Sequence, residues 1–219
     1  MITAVIFDLD GVICPTDEYH YQAWKKVTDD EGIYFDRDIN NQLRGISRED
    51  CVNVILKRSN KNYTEEEKTK LGEKKNEIYK SLLVNVKPSD CSTQVRSTID
   101  WLKKKGIKVG IGSSSTNAEY ILEKLGMQNT FDAVVSGDDV DLVKPSPDIF
   151  LLVAKKLNSN PENTLVVEDA FAGIQAAKKG NFIACGVGEA ASYYQTDYPL
   201  KSIADVILIV TKNNQLQKK

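Results

Sequence analysis

Two carboxylates, Asp8 and Asp10, stand one residue apart directly after the apolar run "AVIF" at residues 4–7. Residues two apart in an extended chain point the same way, so both side chains can face one site. Two like charges this close are costly unless a site uses them. Because Asp before Gly is also common in turns, a turn-capping role for the pair stays open at this point.

Three further segments carry polar groups that could bind phosphate or a cation. In "IGSSSTN" (111–117), hydroxyls that include Ser113 precede a predicted helix whose free N–H groups can hold phosphate; simple N-capping is the alternative. Lys144 precedes a proline-led helix and, taken alone, is a loop lysine. Glu168 and Asp169 end a buried run, where a turn or cap is the alternative.

These segments lie at the ends of four separate predicted strands. In an open α/β sheet the carboxyl ends of parallel strands face one crevice, where ligands bind. Four carboxylates without a histidine partner form a hard, oxygen-rich donor set, since His20 is the only histidine in the chain. Such donors favour Mg²⁺, with phosphate oxygens completing its octahedron. The sequence therefore predicts a site for magnesium and phosphate at one edge of a sheet.

The elements that position this site follow from the apolar pattern. Short, continuous apolar runs are typical of parallel strands covered by helices on both faces. The runs are "AVIF", "IKVGIGS" (107–113), "AVVS" (133–136), "TLVVE" (164–168), "FIACGV" (182–187) and "DVILIV" (205–210). Helical patterns that close at Gly106, Gly126 and Gly180 alternate with them. The sequence predicts an α/β fold with a doubly wound, mostly parallel, Rossmann-like sheet as its core.

Residues 15–84 follow a different pattern, because helical segments succeed one another there without a strand. Thr64 and Glu67 have capping-box spacing at the start of the longest segment. We predict an all-α cap domain over 15–84, inserted after the first strand of a core domain that comprises 1–14 and 85–219. A cap inserted at the carboxyl end of that strand is placed to act as a lid over the site.

Composition narrows the class of protein. The chain has 219 residues and a net charge of −2, which argues against a nucleic-acid partner. No apolar run approaches the roughly 20 residues that span a bilayer, and "MITAVIF" lacks the basic region of a signal peptide. The four cysteines form no C-x-x-C pair and are expected to be packed thiols. We therefore expect a cytoplasmic monomer that acts on a small molecule and whose polar end, 212–219, frays.

The motifs and their order resemble the haloacid dehalogenase superfamily of phosphotransferases. "DLDGV" is similar to its first motif, D-x-D-G-[VT]; Ser113 matches the second, Lys144 the third and "ED" at 168–169 the fourth. The cap also contains segments, "EYH", "GISRED" (45–50) and "KKN" (74–76), that are similar to those of the superfamily's sugar-phosphate mutases. The similarity thus extends over nearly the full length.

This resemblance implies catalytic roles. Asp8 is the implied nucleophile, which forms an aspartyl-phosphate, and Asp10 is the implied general acid and base. Thr16 would steady Asp10, and His20 would orient it, although His20 taken alone is an ordinary helix residue. Ser113 and Lys144 would hold the oxygens of the transferring phosphoryl group. The implied Mg²⁺ ligands are Asp8, the backbone carbonyl of Asp10, and Asp169, with Glu168 beside them.

The resemblance also implies that the cap binds the non-reacting end of a sugar phosphate. Arg48 is the candidate for a second phosphate, because a guanidinium fork suits phosphate geometry; otherwise it is a solvated arginine at a helix start. Ser47 is either a contact or an N-cap, Trp24 a contact or part of the cap core, and Lys75 a contact or a charged helix residue. The predicted substrate contacts are Trp24, Gly45, Ile46, Ser47, Arg48, Lys75, Ser114 and Asn117.

The reaction implied is the interconversion of β-D-glucose 1-phosphate and D-glucose 6-phosphate through β-glucose 1,6-bisphosphate. A magnesium-dependent phosphatase of the same superfamily is the alternative, because it shares every core residue and differs in the cap. A non-catalytic sugar-phosphate sensor is a further alternative, against which the intact Asp8, Asp10, Lys144 and Asp169 argue.

Overall fold

The computed structural model describes residues 1–216 and places a six-stranded sheet between two layers of helices. The strands are β1 (Ala4–Phe7), β2 (Lys108–Gly112), β3 (Ala133–Val135), β4 (Thr164–Glu168), β5 (Ile183–Gly186) and β6 (Tyr198–Pro199). Their order is β3-β2-β1-β4-β5-β6, and each neighbouring pair is parallel. Phe7 pairs with Ile111 on one side and Val167 on the other, so β1, β2 and β4 end at the same edge.

Nine helices are present among the described residues. They are α1 (Asp17–Asp30), α2 (Arg37–Asn41), α3 (Arg48–Leu56), α4 (Glu65–Leu83), α5 (Thr93–Lys104), α6 (Ala118–Lys124), α7 (Asp148–Lys156), α8 (Phe171–Lys179) and α9 (Asp205–Leu216). Short 3-10 turns occur at Pro88–Asp90, Gly137–Asp139, Pro161–Asn163 and Gly188–Ser192.

The sheet is covered on both faces because successive side chains of a strand point to opposite sides. Val5 and Phe7 of β1 pack into a cluster with residues of α5, α6 and α9. Ala4 and Ile6, on the other face, pack with residues of α7 and α8. All four side chains are fully buried, which accounts for the continuous apolar run in the sequence.

The prediction of a strand over 205–210 is wrong, because these residues begin α9. Val206 and Val210, four residues apart, are buried, whereas Leu208 between them is 60% exposed. That spacing belongs to one face of a helix, and a short apolar run alone does not distinguish a buried helix from a strand. The last strand of the sheet is instead the two-residue β6, which the sequence did not predict.

Helices α1 to α4 follow β1 directly and have a small core of their own, so the fold class, an α/β core with an all-α cap, is confirmed. Thr64 and Glu67 form the predicted capping box, with bonds of 3.2 Å and 2.8 Å. The five-residue helix α2 was not predicted. The cap core comprises Trp24, Ile33, Phe35, Ile39, Leu43, Cys51, Val52 and Ile55. The limits of the cap, 15–84, stay a prediction.

Three smaller expectations concern the rest of the chain. The four cysteines are buried free thiols, as predicted. Residues 212–216 form the end of α9, and 217–219 lie outside the described residues, so fraying of 212–219 stays a prediction. Within residues 1–216, none of the helices combines the length and the apolar character that crossing a membrane requires.

Candidate active site

Asp8, at the end of β1, contacts a buried lysine from another loop. Nζ of Lys144 lies 2.5 Å from Oδ1 of Asp8 and 2.5 Å from Oε1 of Glu168, at the end of β4. Lys144 is 1% exposed, and the two carboxylates raise its pKa against the effect of its burial. Lys144 therefore stays charged and joins two strand ends.

Three buried carboxylates, Asp8, Glu168 and Asp169, converge so that one oxygen of each lies within 4.8 Å of the others. Burial raises the pKa of Asp8 well above its usual value, and burial with the charge of Glu168 raises the pKa of Asp169 to about 8. A nucleophilic Asp8 must be ionised, which a divalent cation beside these oxygens favours. Both the oxygen donors and their raised pKa values, which a cation would lower, therefore fit a metal ion.

The two oxygens of Glu168 already have protein partners. Oε1 accepts from Lys144, and Oε2 accepts the backbone N–H groups of Asp169 and Ala170 at 3.1 and 3.2 Å. Glu168 thus fixes Lys144 and the turn after β4. Asp8 and Asp169 each have a hydrogen-bond partner on one oxygen only among the described residues, so they are better placed to hold a cation directly.

The glycine of "DLDGV" has a steric explanation. Gly11 has a φ of +83°, and a Cβ built on it would lie 1.9 Å from Oδ2 of Asp169. A residue with a side chain would be strained there and would displace a carboxylate of the cluster.

Asp10 lies in a network of donors from the cap and its linker. Thr16 Oγ1 donates to Oδ1 of Asp10, the Tyr79 hydroxyl donates to the same oxygen at 3.1 Å, and Nε2 of His20 lies 3.4 Å from it. Ser113 Oγ lies 3.4 Å from the other oxygen, Oδ2. Burial opposes ionisation, but the contacts with His20, Thr16 and Tyr79 outweigh it and lower the pKa of Asp10 to about 2.

His20 links Asp10 to Lys75. Nζ of Lys75 lies 2.8 Å from Nδ1 of His20, and since an ammonium can only donate, Nδ1 is the acceptor and Nε2 carries the proton that faces Asp10. Burial and the charge of Lys75 lower the pKa of His20, which keeps the ring neutral. Burial also lowers the pKa of Lys75 to about 8.

Contacts between cap and core close the site at its other end. The guanidinium of Arg48 donates to Thr116 Oγ1 at 2.8 Å. Ser114 donates from its hydroxyl to the carbonyl of Gly45 at 2.9 Å. The Asn117 amide donates to the side chain of Asn76 at 2.9 Å. The loop after β2 therefore meets both the start of α3 and the middle of α4.

Two of the predicted substrate contacts, Ser47 and Trp24, have the structural roles that the sequence analysis gave as alternatives. Ser47 is the N-cap of α3, since its hydroxyl accepts the N–H of Asp50 at 2.9 Å. The carboxylate of Asp50 accepts from that hydroxyl instead of completing a capping box. Trp24 is 3% exposed and belongs to the cap core, although it also borders the cavity described next.

A cavity of about 430 Å³ lies between cap and core. Every predicted site residue lines it except Thr16, Lys144 and Glu168, which lie behind its wall and contact residues that line it. The wall includes Asp8, Asp10, His20, Trp24, Gly45, Ile46, Ser47, Arg48, Lys75, Ser113, Ser114, Asn117 and Asp169.

Sequence reasoning missed three residues of this site. Arg44, on the cap loop before α3, contacts Asp169 and lies 2.9 Å from Oδ2 of Asp17. The other two are Thr116, in the segment "IGSSSTN", and Tyr79 on α4. Arg44 directly precedes "GISRED" and Thr116 lies within "IGSSSTN", so the sequence could have indicated both. Nothing in the sequence distinguishes Tyr79 from other residues of its charged helix until the position of that helix against the core is known.

Comparisons with known proteins show the family to which this chain belongs. A family model described as haloacid dehalogenase-like hydrolase matches residues 2–181. The chain is 40% identical over 207 residues to a β-phosphoglucomutase of Bacillus subtilis (strain 168), covering 94% of this chain and 92% of that one. It is 35% identical over 184 residues to a fructose-1-phosphate phosphatase of Escherichia coli (strain K12), covering 84% and 95%. A crystal structure of a β-phosphoglucomutase from Clostridium difficile matches with a TM-score of 0.92 and 38% identity over 100% of both chains.

Proposed function

Because the chain belongs to the haloacid dehalogenase-like hydrolases, we propose that it is a magnesium-dependent sugar-phosphate mutase that interconverts β-D-glucose 1-phosphate and D-glucose 6-phosphate. One observation carries this proposal: one cationic group lies in the wall at one end of the cavity, and another lies directly behind the wall at the other end. Lys144 lies beside Asp8 in the core, and Arg48 lies on the cap with its guanidinium turned toward the core loop at Thr116. A substrate with two phosphates needs both ends, whereas hydrolysis of one ester needs the first alone.

Asp8 is the proposed nucleophile. Its carboxylate attacks phosphorus, the bond from phosphorus to the sugar oxygen breaks, and an aspartyl-phosphate forms. Lys144 and the hydroxyl of Ser113 hold oxygens of the transferring group. The burial of Lys144 supports this role, because a charge in a site without water stabilises developing negative charge more strongly than an exposed one.

Asp10 is the proposed general base and acid. Its low pKa, about 2, makes it a carboxylate at neutral pH, so it acts first as a base. It takes the proton from the sugar hydroxyl that attacks the aspartyl-phosphate, which gives the bisphosphate. In the second transfer, after the bisphosphate has turned over in the cavity, Asp10 returns that proton to the sugar oxygen that leaves.

Asp8 and Asp169 would hold the Mg²⁺, with the backbone carbonyl of Asp10 and the carboxylate of Glu168 beside them. When bound, Mg²⁺ supplies the positive charge that lets an anionic nucleophile approach an anionic phosphoryl group. The buried, oxygen-only donor set supports this assignment.

The cap supplies the proposed second phosphate site and excludes water. Arg48 and Lys75 would bind the non-reacting phosphate or the sugar, and the wall from Gly45 to Ser47 would close around it. Contacts such as Ser114 with Gly45 support a closed arrangement in which water is kept from the aspartyl-phosphate. That exclusion separates a mutase from a phosphatase, the activity of one of the relatives.

The test supplies β-glucose 1-phosphate, Mg²⁺ and a trace of β-glucose 1,6-bisphosphate, and measures glucose 6-phosphate and free phosphate separately. We expect glucose 6-phosphate with little free phosphate, and no transfer by Asp8→Asn. Asp29→Asn, an exposed carboxylate on α1, is the matched control and should behave as wild type. Stoichiometric free phosphate without glucose 6-phosphate would replace the mutase by a phosphatase.

A further inference from the structure

Tyr79, on α4 of the cap, reaches the carboxylate that follows β1. Its side chain is fully buried, and its hydroxyl donates to Oδ1 of Asp10 at 3.1 Å across 69 residues of sequence. A residue of the cap helices thereby contacts the proposed acid–base group of the core. Tyr79 does not border the cavity, so it acts on a substrate only through Asp10.

The donors around Asp10 are unevenly distributed between its two oxygens. The hydroxyls of Thr16 and Tyr79 both donate to Oδ1, and the Nε2 atom of His20 lies 3.4 Å from it. Among residues 1–216 the hydrogen-bond partner of Oδ2 is Ser113 Oγ alone, at 3.4 Å, on the side of the core loop after β2. Since a carboxylate oxygen has two lone pairs, Oδ1 is occupied and Oδ2 is the oxygen left to exchange a proton.

The ring of Tyr79 has a fixed position. The ring of His20 lies against it with centroids 4.0 Å apart, and Nζ of Lys75 lies 4.4 Å from its centroid on α4. These contacts fix the ring, and with it the place of the hydroxyl beside Oδ1 of Asp10. By contrast, the carboxylate of an aspartate turns about a broad torsion unless donors hold it.

We propose that Tyr79 is a positioning residue: it holds Oδ1 of Asp10 so that Oδ2 faces the sugar oxygen that loses or gains the proton. This inference rests on the proposed function. In the first transfer, the proton of the attacking hydroxyl passes to Oδ2 while the new oxygen–phosphorus bond forms and the bond to Asp8 breaks. In the second, the same proton leaves Oδ2 for the departing sugar oxygen, and Tyr79 keeps its own proton throughout.

The choice of phosphoryl donor tests this role. A sugar leaving group needs the proton of Asp10, whereas acetate leaving from acetyl phosphate is stable without one. Tyr79→Phe removes one oxygen and keeps the ring. We expect it to lower kcat for β-glucose 1-phosphate roughly 10- to 100-fold, as loss of a hydrogen bond to a charged group does, with KM nearly unchanged. Phosphorylation of Asp8 by acetyl phosphate should keep its wild-type rate.

Two further variants complete the experiment. Tyr193→Phe removes a hydroxyl that accepts from Gln175 at 2.7 Å outside the cavity, and it should match wild type with both donors. Tyr79→His keeps a ring with an N–H donor and should recover part of the sugar-phosphate rate that Tyr79→Phe loses. Because its imidazole N–H can donate to Asp10, Tyr79→His can also be used for the test if Tyr79→Phe fails to fold.

The outcomes separate this inference from the proposed function. Wild-type protein without any transfer to or from sugar phosphates refutes the proposed function itself. Active wild type with an equally active Tyr79→Phe overturns the role of Tyr79 alone. Equal losses with both phosphoryl donors, or Tyr79→His no better than Tyr79→Phe, would assign Tyr79 to packing and also overturn it.

Discussion

Lys75 donates to His20, with 2.8 Å between Nζ and Nδ1, from a position in which the lysine is only 4% exposed. No carboxylate lies within salt-bridge distance of this ammonium among the described residues, and burial lowers its pKa from 10.5 to about 8. A buried lysine without an anion costs free energy of folding unless a ligand supplies the anion. The position therefore favours binding of an anionic group over stability of the free protein.

Replacing Lys75 by Met should stabilise the free protein. The folded-state pKa, about 8, lies below the unfolded value of 10.5, so the cost of the charge is fully present below pH 8 and fades as the pH rises between the two values. At about 1.4 kcal/mol per unit of pKa, the gain at pH 7 is about 3 kcal/mol. Urea unfolding at pH 7 and pH 10 measures it, and the gain should shrink at pH 10.

The same variant should bind the sugar phosphate more weakly, because its cation is gone. Lys80→Met, at an exposed position on the same helix, is the matched control and should change neither property. A Lys75→Met protein less stable than wild type at pH 7 would contradict the interpretation of this lysine as a strained, ligand-directed charge.

Arg48→Lys tests the proposed second phosphate site, because it keeps the charge but loses the planar fork. We expect KM for β-glucose 1-phosphate to rise roughly 10-fold, since one hydrogen bond to a charged group is lost. Phosphorylation of Asp8 by acetyl phosphate, which has a single phosphate, should not change. Arg58→Lys is the control, because Arg58 is exposed and bonds to Val54 and Gln42 of the cap. An unchanged KM would place the second phosphate elsewhere.

Much of this site could be predicted from sequence because its core residues follow buried parallel strands. Asp8, Ser113 and Glu168 each come at or just after the end of a run of apolar residues, and the sheet register brings these ends together. The sequence was less informative where an apolar run is short, as at Val206–Val210, since helix and strand share that composition. Tyr79 could not be predicted, because its contact with Asp10 depends on how α4 packs against the core. The spacing of residues along α4 contains no information about that packing.

Mg²⁺ should raise the melting temperature of the wild-type protein, because it binds the folded carboxylate cluster and not the unfolded chain. At 100 times the dissociation constant the stabilisation is about 2.7 kcal/mol, which corresponds to about 5–10 °C for a chain of this size. Asp169→Asn should abolish the shift, whereas Asp29→Asn, outside the cluster, should retain it. A shift of equal size in Asp169→Asn would show that the ion binds outside this cluster.

Arg44 is expected to keep the cap closed. It belongs to the cap loop before α3, yet it contacts Asp169 of the core and lies within 3.8 Å of Glu189 after β5. Arg44→Gln removes the charge that holds these elements together, so water should reach the aspartyl-phosphate more often. We expect free phosphate to increase relative to glucose 6-phosphate, measured in one reaction. Arg37→Gln is the control, because Arg37 pairs with Glu18 at the cap surface.

The balance between the two products makes this a test of closure and not of general damage. A variant that merely loses substrate affinity or stability lowers transfer and hydrolysis together, and their ratio stays constant. A variant that opens the cap leaves Asp8 and Lys144 in place, so the aspartyl-phosphate still forms while its lifetime shortens. Rapid quenching of labelled aspartyl-phosphate measures that lifetime directly, and a wild-type lifetime in Arg44→Gln would exclude Arg44 as the contact that keeps water out.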